Sequence, residues 1–226
     1  MELYDAIMTT RSMRRLSDDP PVTAEDIEHC LRAAAQAPSG GNVQPYHFVV
    51  LMSPEARTAI ADIYLRGWRR YRPAVLARLG PFLSPAAEAS FHRTVELSEH
   101  LAQHIGDVPS VLFCMASYDN TLGDDEGPLD IGTLHASVFP AVQNFMLAAR
   151  DLGLGTTLTT VFRVYVDEVR VAFDLPSHLD PVALVPIGWP AGRFGVAPRK
   201  PIDRITHWDC YGERRPFTTA PWSPPP

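Results

Sequence analysis

The amino-acid sequence predicts an α+β protein in which a mixed central β-sheet of few strands is flanked by helices. Three apolar runs have the length of strands, at residues 47–52, 110–118 and 182–187; such continuous runs are typical of covered strands. Stretches with helical periodicity lie between them. Gly153 and Gly155 lack the third glycine of a dinucleotide-binding fingerprint, so a Rossmann domain is not expected.

Two helices are predicted ahead of the first strand. Apolar residues recur at helical spacing over residues 3–7, and this helix is expected to end near Thr10. Residues 23–26 read Thr-Ala-Glu-Asp, the pattern of a capping box, so a second helix begins there and stops before Pro38. Its predicted buried stripe comprises Ile27, Cys30, Leu31 and Ala34.

The later elements follow from similar signals. The strand at residues 47–52 is expected to be covered on both faces. Ser53-Pro54 and Ser84-Pro85 each place proline in the first turn of a predicted helix. The longest helical pattern, residues 131–152, has a wide apolar face, which predicts a helix across the core or in a subunit interface, with a kink at Pro140.

Composition narrows the class of protein. The chain has 226 residues, 46% of them hydrophobic, which suits one domain with a substantial core. Its net charge of −6 argues against a nucleic-acid partner, because phosphate contacts need a concentrated basic face. No apolar stretch approaches the roughly 20 residues needed to cross a bilayer, and no signal peptide is recognisable. We therefore expect no membrane partner and a cytoplasmic location.

Neither a disulfide framework nor a metal site is expected. The cysteines are odd in number and far apart, and Cys30 and Cys114 lie within apolar patterns typical of core residues. One helical column could present metal ligands at successive i, i+4 steps: His92, Glu96, His100 and His104. No second group of ligands completes a coordination shell, which favours a solvated stripe.

A polar loop at residues 37–46 lies between a predicted helix and the first strand. It reads Ala-Pro-Ser-Gly-Gly-Asn-Val-Gln-Pro-Tyr. The two glycines allow close approach of a ligand to the backbone, and the prolines restrict the loop at both ends. Asn42 and Gln44 offer donors and acceptors that suit the mixed polar edge of a flavin ring. An ordinary solvated turn would have the same composition.

Three further motifs accompany this loop: Arg-Ser-Met-Arg-Arg-Leu at residues 11–16, Pro-Ile-Gly-Trp-Pro at 186–190, and Arg-Lys-Pro-Ile at 199–202. In this order and at these separations, the sequence resembles the FMN-dependent nitroreductase family. The resemblance covers residues 3–211 and is weaker between residues 68 and 105. It implies a nitroreductase-like fold, bound FMN and a homodimer formed through the long helix and exchanged terminal segments.

The residues suggest how FMN would be held. Arg11, Arg14 and Arg199 are candidates for the phosphate, because a guanidinium binds phosphate with two hydrogen bonds. The resemblance implies instead that one of the early arginines faces N1 and O2 of the ring, where its charge stabilises reduced flavin, and we assign this role to Arg14. The family often has a basic residue where this chain has Thr10. The predicted cofactor-binding residues are Arg11, Ser12, Met13, Arg14, Pro38, Ser39, Asn42, Gln44, Leu158, Thr159, Thr160 and Arg199.

The resemblance also divides these residues between two subunits. It implies that residues 38–44 reach FMN from the partner, and that the backbone of residues 158–160 lies near N5 of the ring. From the sequence alone, the Arg-Ser turn and the polar loop could meet at one ligand within a chain or across a two-fold axis.

The expected domain boundaries follow from the same resemblance. Residues 1–212 are expected to form one FMN-binding domain with a helical lid at about 68–105, followed by a proline-rich tail at 213–226. Trp68 and Tyr71 stand in an arginine-rich segment that could contact a planar or anionic substrate. An amphipathic surface segment would show the same pattern.

The function implied is that of an NAD(P)H oxidoreductase that reduces nitroaromatic or quinone-type small-molecule acceptors by a ping-pong hydride mechanism. No side chain is expected to act as a catalytic nucleophile, because the flavin carries the electrons. Three alternatives stay open: a reductive dehalogenase similar to iodotyrosine deiodinase, a flavin-fragmenting enzyme, and a non-catalytic FMN-binding protein. The predicted lid contains no lysine, which the deiodinases use there to clamp an amino-acid substrate.

Overall fold

The computed structural model describes residues 1–82, 84–116, 123–125, 127–128, 134–219 and 222. The helices are α1 (Leu3–Thr9), α2 (Ala24–Ala34), α3 (Pro54–Leu76), α4 (Pro85–His104), α5 (Val138–Asp151) and α6 (Val166–Ala172). The strands are β1 (Leu16–Ser17), β2 (Tyr46–Leu51), β3 (Ser110–Ala116), β4 (Gly123–Asp124), β5 (Gly127–Pro128), β6 (Gly155–Thr156) and β7 (Leu179–Pro190). The α+β class is confirmed.

The main sheet is organised around β7. The strand order is β1-β7-β3-β2, and β6 pairs with β7 as well. All of these ladders are antiparallel, and parallel pairing among the described residues is confined to an isolated bridge between Ser12 and Thr156. The two short strands β4 and β5 form a separate antiparallel pair.

Two hydrophobic cores cover the two faces of this sheet. Along β3, Val111 and Phe113 belong to the core under α2 and α5, whereas Leu112 and Cys114 belong to the core under α3 and α6. This alternation is the two-residue period of a strand buried on both faces. The continuous apolar runs at β3 and β7 therefore arise because helices pack on both sides of the sheet.

The strand β2 departs from the sequence prediction. It lies at the edge of the sheet, and among the described strands it pairs only with β3. Tyr46 and Phe48 pack in the core under α2 and α5, and Val49 and Leu51 pack in the core under α3 and α6, but His47 and Val50 are exposed. The prediction that this strand is covered on both faces therefore holds only for part of the strand. An apolar run does not reveal whether its strand has one neighbour or two.

The predicted kink at Pro140 was wrong. A short 3-10 helix occupies residues 134–137, and α5 begins only at Val138. Pro140 therefore lies in the first helical turn, where its missing N–H removes no intrahelical hydrogen bond. The beginning of the predicted helix, residues 131–133, and the end of the predicted strand, residues 117–118, lie outside the described residues.

Several local predictions are confirmed. Thr23 and Asp26 form the capping box of α2, and the hydroxyls of Ser53 and Ser84 cap α3 and α4. Gly153 ends the α5 segment with a φ of 82°, which favours glycine. The cysteines are free, with Cys30 and Cys114 buried and Cys210 exposed. Burial raises the pKa of Cys30 and of Cys114 to about 12.

The predicted lid corresponds to the second half of α3 together with α4. The helix α3 continues through Pro73 to Leu76, and α4 carries Leu101 and Ala102 into the core beneath α3. No helix among the described residues is long and apolar enough to span a bilayer. The proline-rich tail is described only as far as Thr219, without helix or strand after residue 212, and at Trp222.

We predict that Gly67→Ala destabilises the protein. A Cβ at Gly67 would lie 2.8 Å from the carbonyl oxygen of Val161, which fixes how closely α3 approaches the segment after Thr160. Overpacking of this kind costs roughly 1–3 kcal/mol, against up to about 1 kcal/mol regained in helix propensity. Gly80→Ala is the matched control, because a Cβ there meets nothing within 4 Å. Urea unfolding measures both; equal stability of the two variants would contradict the prediction.

Candidate functional site

The Arg-Ser turn is held against the strand β6. The hydroxyl of Thr10 donates to the Ala6 carbonyl at 2.6 Å, so it closes α1. The backbone N–H of Met13 donates to the Thr156 carbonyl at 2.8 Å, beside the bridge from Ser12. Met13 is buried, while Arg11 and Ser12 are exposed. The turn therefore presents Arg11 and Ser12 outward from a fixed backbone.

Arg14 is a partly buried cation without a counter-charge. Its side chain forms no ion pair or hydrogen bond with any described residue, while burial lowers the pKa of its guanidinium. Its side chain lies near Tyr64, whose phenol is the main titratable neighbour. Removing a cation from water without a compensating partner is unfavourable. Arg14 is therefore poised to receive an anionic or strongly accepting group.

Thr159 connects helix α3 to the central strand β7. Its backbone N–H and C=O exchange hydrogen bonds of 2.9 Å with Leu184 in β7. Its buried hydroxyl lies 2.8 Å from the hydroxyl of Tyr64 on α3. Burial raises the pKa of Tyr64, so this phenol stays protonated at neutral pH. Leu158 and Thr160, on either side of Thr159, are exposed.

A cavity of about 420 Å³ opens beside this segment, and it brings together residues that are distant in sequence. The cavity is lined by Tyr71 of α3 and by residues 158–160, all of which are among the site residues named from the sequence. Trp68 does not line it. The indole is buried, donates to Glu99 at 2.6 Å and packs against the ring of Tyr71 at 6.2 Å. Trp68 thus supports Tyr71 from behind.

The polar loop has an unusual backbone. Gly41, Asn42 and Gln44 adopt φ values of 58°, 55° and 51°, a region that Asn tolerates better than most residues. The Ser39 hydroxyl accepts from the Gln44 N–H at 2.9 Å, and the Gln44 amide donates to Asn42 Oδ1 at 3.1 Å. Asn42 and Gln44 are exposed, as is Pro38. The loop is therefore a folded surface feature that offers amide groups to solvent.

The Arg-Ser turn and the polar loop lie at opposite ends of β7. Tyr46, just after the loop, pairs with Met115, which pairs with Asp180. Leu16, just after the turn, pairs with Pro190. At the usual strand rise of about 3.3 Å per residue, Asp180 and Pro190 are roughly 30 Å apart. One small ligand cannot contact the turn and the loop at these two positions within one chain.

Arg199 lies on an extended segment after β7. Its side chain is exposed and donates to the carbonyl of Pro198 at 3.0 Å. Earlier in the same segment, Phe194 packs 3.9 Å from the guanidinium of Arg150, which also donates to Thr9 at 3.1 Å. The segment therefore passes the end of α1, two residues before Arg11. A joint role for Arg11 and Arg199 stays a prediction.

Some functional candidates were missed by sequence reasoning. Arg163, Val161 and Val164 line the cavity, but they lie in a 3-10 segment whose sequence carries no distinctive motif. Tyr64 has a clearer signal, because it precedes Gly67 and Tyr71 by three and seven residues and shares their helical face. Its role as the partner of Thr159 depends on a contact across the fold.

Two other features were considered as sites. A wider groove of about 560 Å³ lies between α3 and α6, but Arg66 there is paired with Asp62 and Glu168. On α4, His104 pairs with Asp107 at 2.8 Å, and among the described residues no cluster of three potential metal ligands occurs. The cavity beside Thr159 is therefore the best candidate site.

Comparison with known proteins identifies the family of the chain. A model of the nitroreductase family matches residues 7–189. The chain is 25% identical over 209 residues to FMN reductase (NADPH) of Bacillus subtilis (strain 168), covering 92% of this chain and 73% of that protein. It is 26% identical over 206 residues to iodotyrosine deiodinase 1 of Sus scrofa, covering 90% of this chain and 67% of that protein.

Solved structures give the same fold. The chain is similar to oxidized iodotyrosine deiodinase bound to FMN and 3-iodo-L-tyrosine, with a TM-score of 0.68 at 20% identity, over 93% of this chain and 100% of that chain. The predicted nitroreductase-like fold is confirmed.

We predict that Tyr64 and Thr159 are energetically coupled. Tyr64→Phe or Thr159→Val leaves one buried hydroxyl without its partner, which costs about 1–3 kcal/mol. The double variant removes both hydroxyls and should be destabilised by less than the sum of the single variants. Urea unfolding of the three variants measures the coupling. Strict additivity would show that the two hydroxyls do not interact in solution.

Proposed function

The chain belongs to the nitroreductase family, and from that premise we propose that it is an FMN-dependent oxidoreductase that uses NAD(P)H to reduce nitroaromatic or quinone-type acceptors. The observation that carries the proposal is the partly buried Arg14, which has no carboxylate partner among the described residues. Burying an unpaired guanidinium is unfavourable unless the site receives a ligand that accepts its hydrogen bonds.

The residues at the site fit FMN chemically. Arg14 would face N1 and O2 of the ring, where a positive charge stabilises the reduced anionic form. Residues 158–160 are fixed by the Thr159–Leu184 hydrogen bonds and would present their backbone near N5. Arg11, Ser12 and Arg199 are exposed and would bind the phosphate, and buried Met13 would hold the turn in place.

The separation of the two motifs supports a homodimeric site. The loop residues Pro38, Ser39, Asn42 and Gln44 lie roughly 30 Å along β7 from the Arg-Ser turn, at about 3.3 Å per residue. In a two-fold dimer, the loop of one protomer can approach the turn of the other. The termini supply apolar surface for such a contact, with Leu3 66%, Tyr4 64%, Ile202 59% and Ile205 58% exposed.

When bound, FMN would take a hydride from NAD(P)H and pass two electrons, with two protons, to a nitro group, giving a nitroso group and water, or to a quinone, giving a hydroquinone. The residues of the chain itself orient the cofactor and the acceptor and polarise the flavin ring. Arg14 holds positive charge at the ring edge, Thr159 fixes the backbone, and Tyr71 forms one wall of the acceptor cavity. No side chain is required as a nucleophile.

A reductive dehalogenase is the second candidate, because one relative of the chain is iodotyrosine deiodinase 1. The only lysine of the sequence is Lys200, outside α3 and α4, so a lysine clamp for an amino-acid substrate is missing from these helices. Reductive release of iodide from 3-iodotyrosine, without reduction of nitroaromatics or quinones, would establish this alternative.

Anaerobic stopped-flow spectroscopy tests the proposed function. The purified protein should be yellow, and NADPH or NADH should bleach its oxidised-flavin absorbance. Adding a quinone or nitroaromatic should then restore the absorbance. A flavin that is bound but never bleached would indicate a non-catalytic FMN-binding protein, and colourless protein that fails to take up FMN would overturn the proposal.

We predict that Arg14→Gln lowers the flavin midpoint potential. Loss of a charged hydrogen bond to reduced flavin is worth about 1.5–3 kcal/mol, or roughly 30–60 mV for a two-electron couple. Arg15→Gln is the matched control. Arg15 is exposed, and its substitution removes the same charge one residue away from Arg14. Xanthine oxidase-coupled redox titration measures both variants. An equal shift in both would assign the effect to net charge, not to a contact of Arg14.

We predict that two defective variants restore each other's activity when mixed. Arg14→Glu damages the turn, and the double variant Asn42→Ala/Gln44→Ala damages the loop. In a heterodimer, one site contains the damaged turn and the damaged loop, and the other site contains the intact turn and the intact loop. Random subunit exchange should therefore restore about a quarter of all sites. FMN content and turnover measure the recovery. Activity no greater than the average of the two homodimers would contradict a site shared between chains.

A further inference from the structure

Arg70 directly precedes Tyr71 of the cavity wall and has no counter-charge among the described residues. Its guanidinium carbon lies 5.8 Å from the ring centroid of Tyr165, the residue that follows Val164 of the cavity wall. Arg66 lies over the same ring at 5.0 Å but is paired with Asp62 and Glu168. Arg70 forms no ion pair with any described residue, so its charge is available to a ligand.

The other cation at the cavity is already neutralised. Arg163 lines the wall, and its guanidinium lies 3.1 Å from the carboxylate of Asp180. It also donates to the carbonyl of Pro181. Arg163 is therefore committed to the protein's own acceptors, whereas Arg70, like Arg14, has no ion pair among the described residues.

Tyr71 supplies a planar surface next to this charge. It is 45% exposed, and the buried Trp68 packs behind it. An exposed ring that is held from behind can stack on a flat ligand at low entropic cost. A guanidinium, which is itself planar, binds a carboxylate with two parallel hydrogen bonds.

From this arrangement we propose that the preferred acceptor is a planar aromatic or quinoid molecule that carries a carboxylate, with its ring on Tyr71 and its carboxylate on Arg70. The proposal rests on the proposed function and specifies its substrate class. Arg70 acts here as a specificity residue. It selects the charge of the acceptor and takes no part in electron transfer.

The helix α3 provides a matched control beside Arg70. Gly67 packs against Val161 and Tyr71 lines the cavity, so positions 67, 70 and 71 share one face of the helix. Arg69 is two residues from both Gly67 and Tyr71 and lies on the opposite face. It is exposed, without an ion pair among the described residues. Arg69→Gln therefore changes the net charge as Arg70→Gln does, away from the cavity.

The test compares 4-nitrobenzoate with its neutral analogue 4-nitrobenzamide, using the FMN-loaded protein and NADPH. Arg70→Gln should lower kcat/KM for nitrobenzoate about fivefold, the effect of losing a partly exposed ion pair, and leave nitrobenzamide unchanged. Arg69→Gln should leave both unchanged. Equal losses in the two variants, equal losses for the two acceptors, or no loss in Arg70→Gln would each overturn the proposal.

A measurement without turnover separates this proposal from the proposed function. Benzoate and benzamide are redox-inert, and their binding can be followed by calorimetry or by their effect on the spectrum of the bound flavin. Wild type should bind benzoate more tightly than benzamide, and Arg70→Gln should lose that preference. A wild type without the preference overturns the role of Arg70, whereas failure of NAD(P)H to reduce the flavin overturns only the proposed function.

Discussion

The antiparallel pairing of β7 is the constraint on which the rest of the structure depends. This single strand of 12 residues pairs with β3 along most of its length and with β1 and β6 near its carboxyl end. It also exchanges hydrogen bonds with Thr159 near its middle. The Arg-Ser turn and residues 158–160 are therefore placed by segments that pair with β7, and the polar loop is placed through β2 and β3. Beyond Ser110, the first residue of β3, the strand β7 pairs with β6 and β1. At Gly188 in this part, a Cβ would lie 2.7 Å from the carbonyl oxygen of Ser17, so close packing of β1 depends on glycine there.

In the proposed homodimer, that constraint gives each protomer one half of each of two sites. The strand is long enough to keep the Arg-Ser turn and the polar loop at different ends of the sheet, and neither can move without breaking ladder hydrogen bonds. Each half carries polar groups that the described residues of the same protomer do not fully satisfy. The turn has an unpaired guanidinium at Arg14, and the loop exposes the amides of Asn42 and Gln44 on a backbone with positive φ. In the proposed homodimer, these two sets of polar groups are chemically complementary to one ligand bound between two chains.

Sequence reasoning recovered the features that are encoded locally. Helix starts at Thr23, Ser53 and Ser84 were predictable because the capping side chain and its target amide lie within one turn. The edge position of β2 and the late start of α5 were not, because both depend on neighbours that are distant in sequence. The candidate site divides in the same way. Its motif residues were named from the family resemblance, whereas the buried state of Arg14, the Tyr64–Thr159 contact and the support of Tyr71 by Trp68 arise only from packing.

The arginines of this chain show how one residue type can be given different tasks by its surroundings. With a single lysine, almost every positive charge is a planar guanidinium. Arg57 and Arg170 are bound to carboxylates and backbone carbonyls and so serve the fold. Arg14 is desolvated and unpaired, which suits a group that must respond to charge on a cofactor ring. Arg70 is exposed and unpaired, so its pairing with an anion is weaker and screened by salt, which suits reversible selection of an acceptor. Burial and pairing, more than residue identity, therefore separate the arginines that hold the fold from those proposed to tune the cofactor and to select the acceptor.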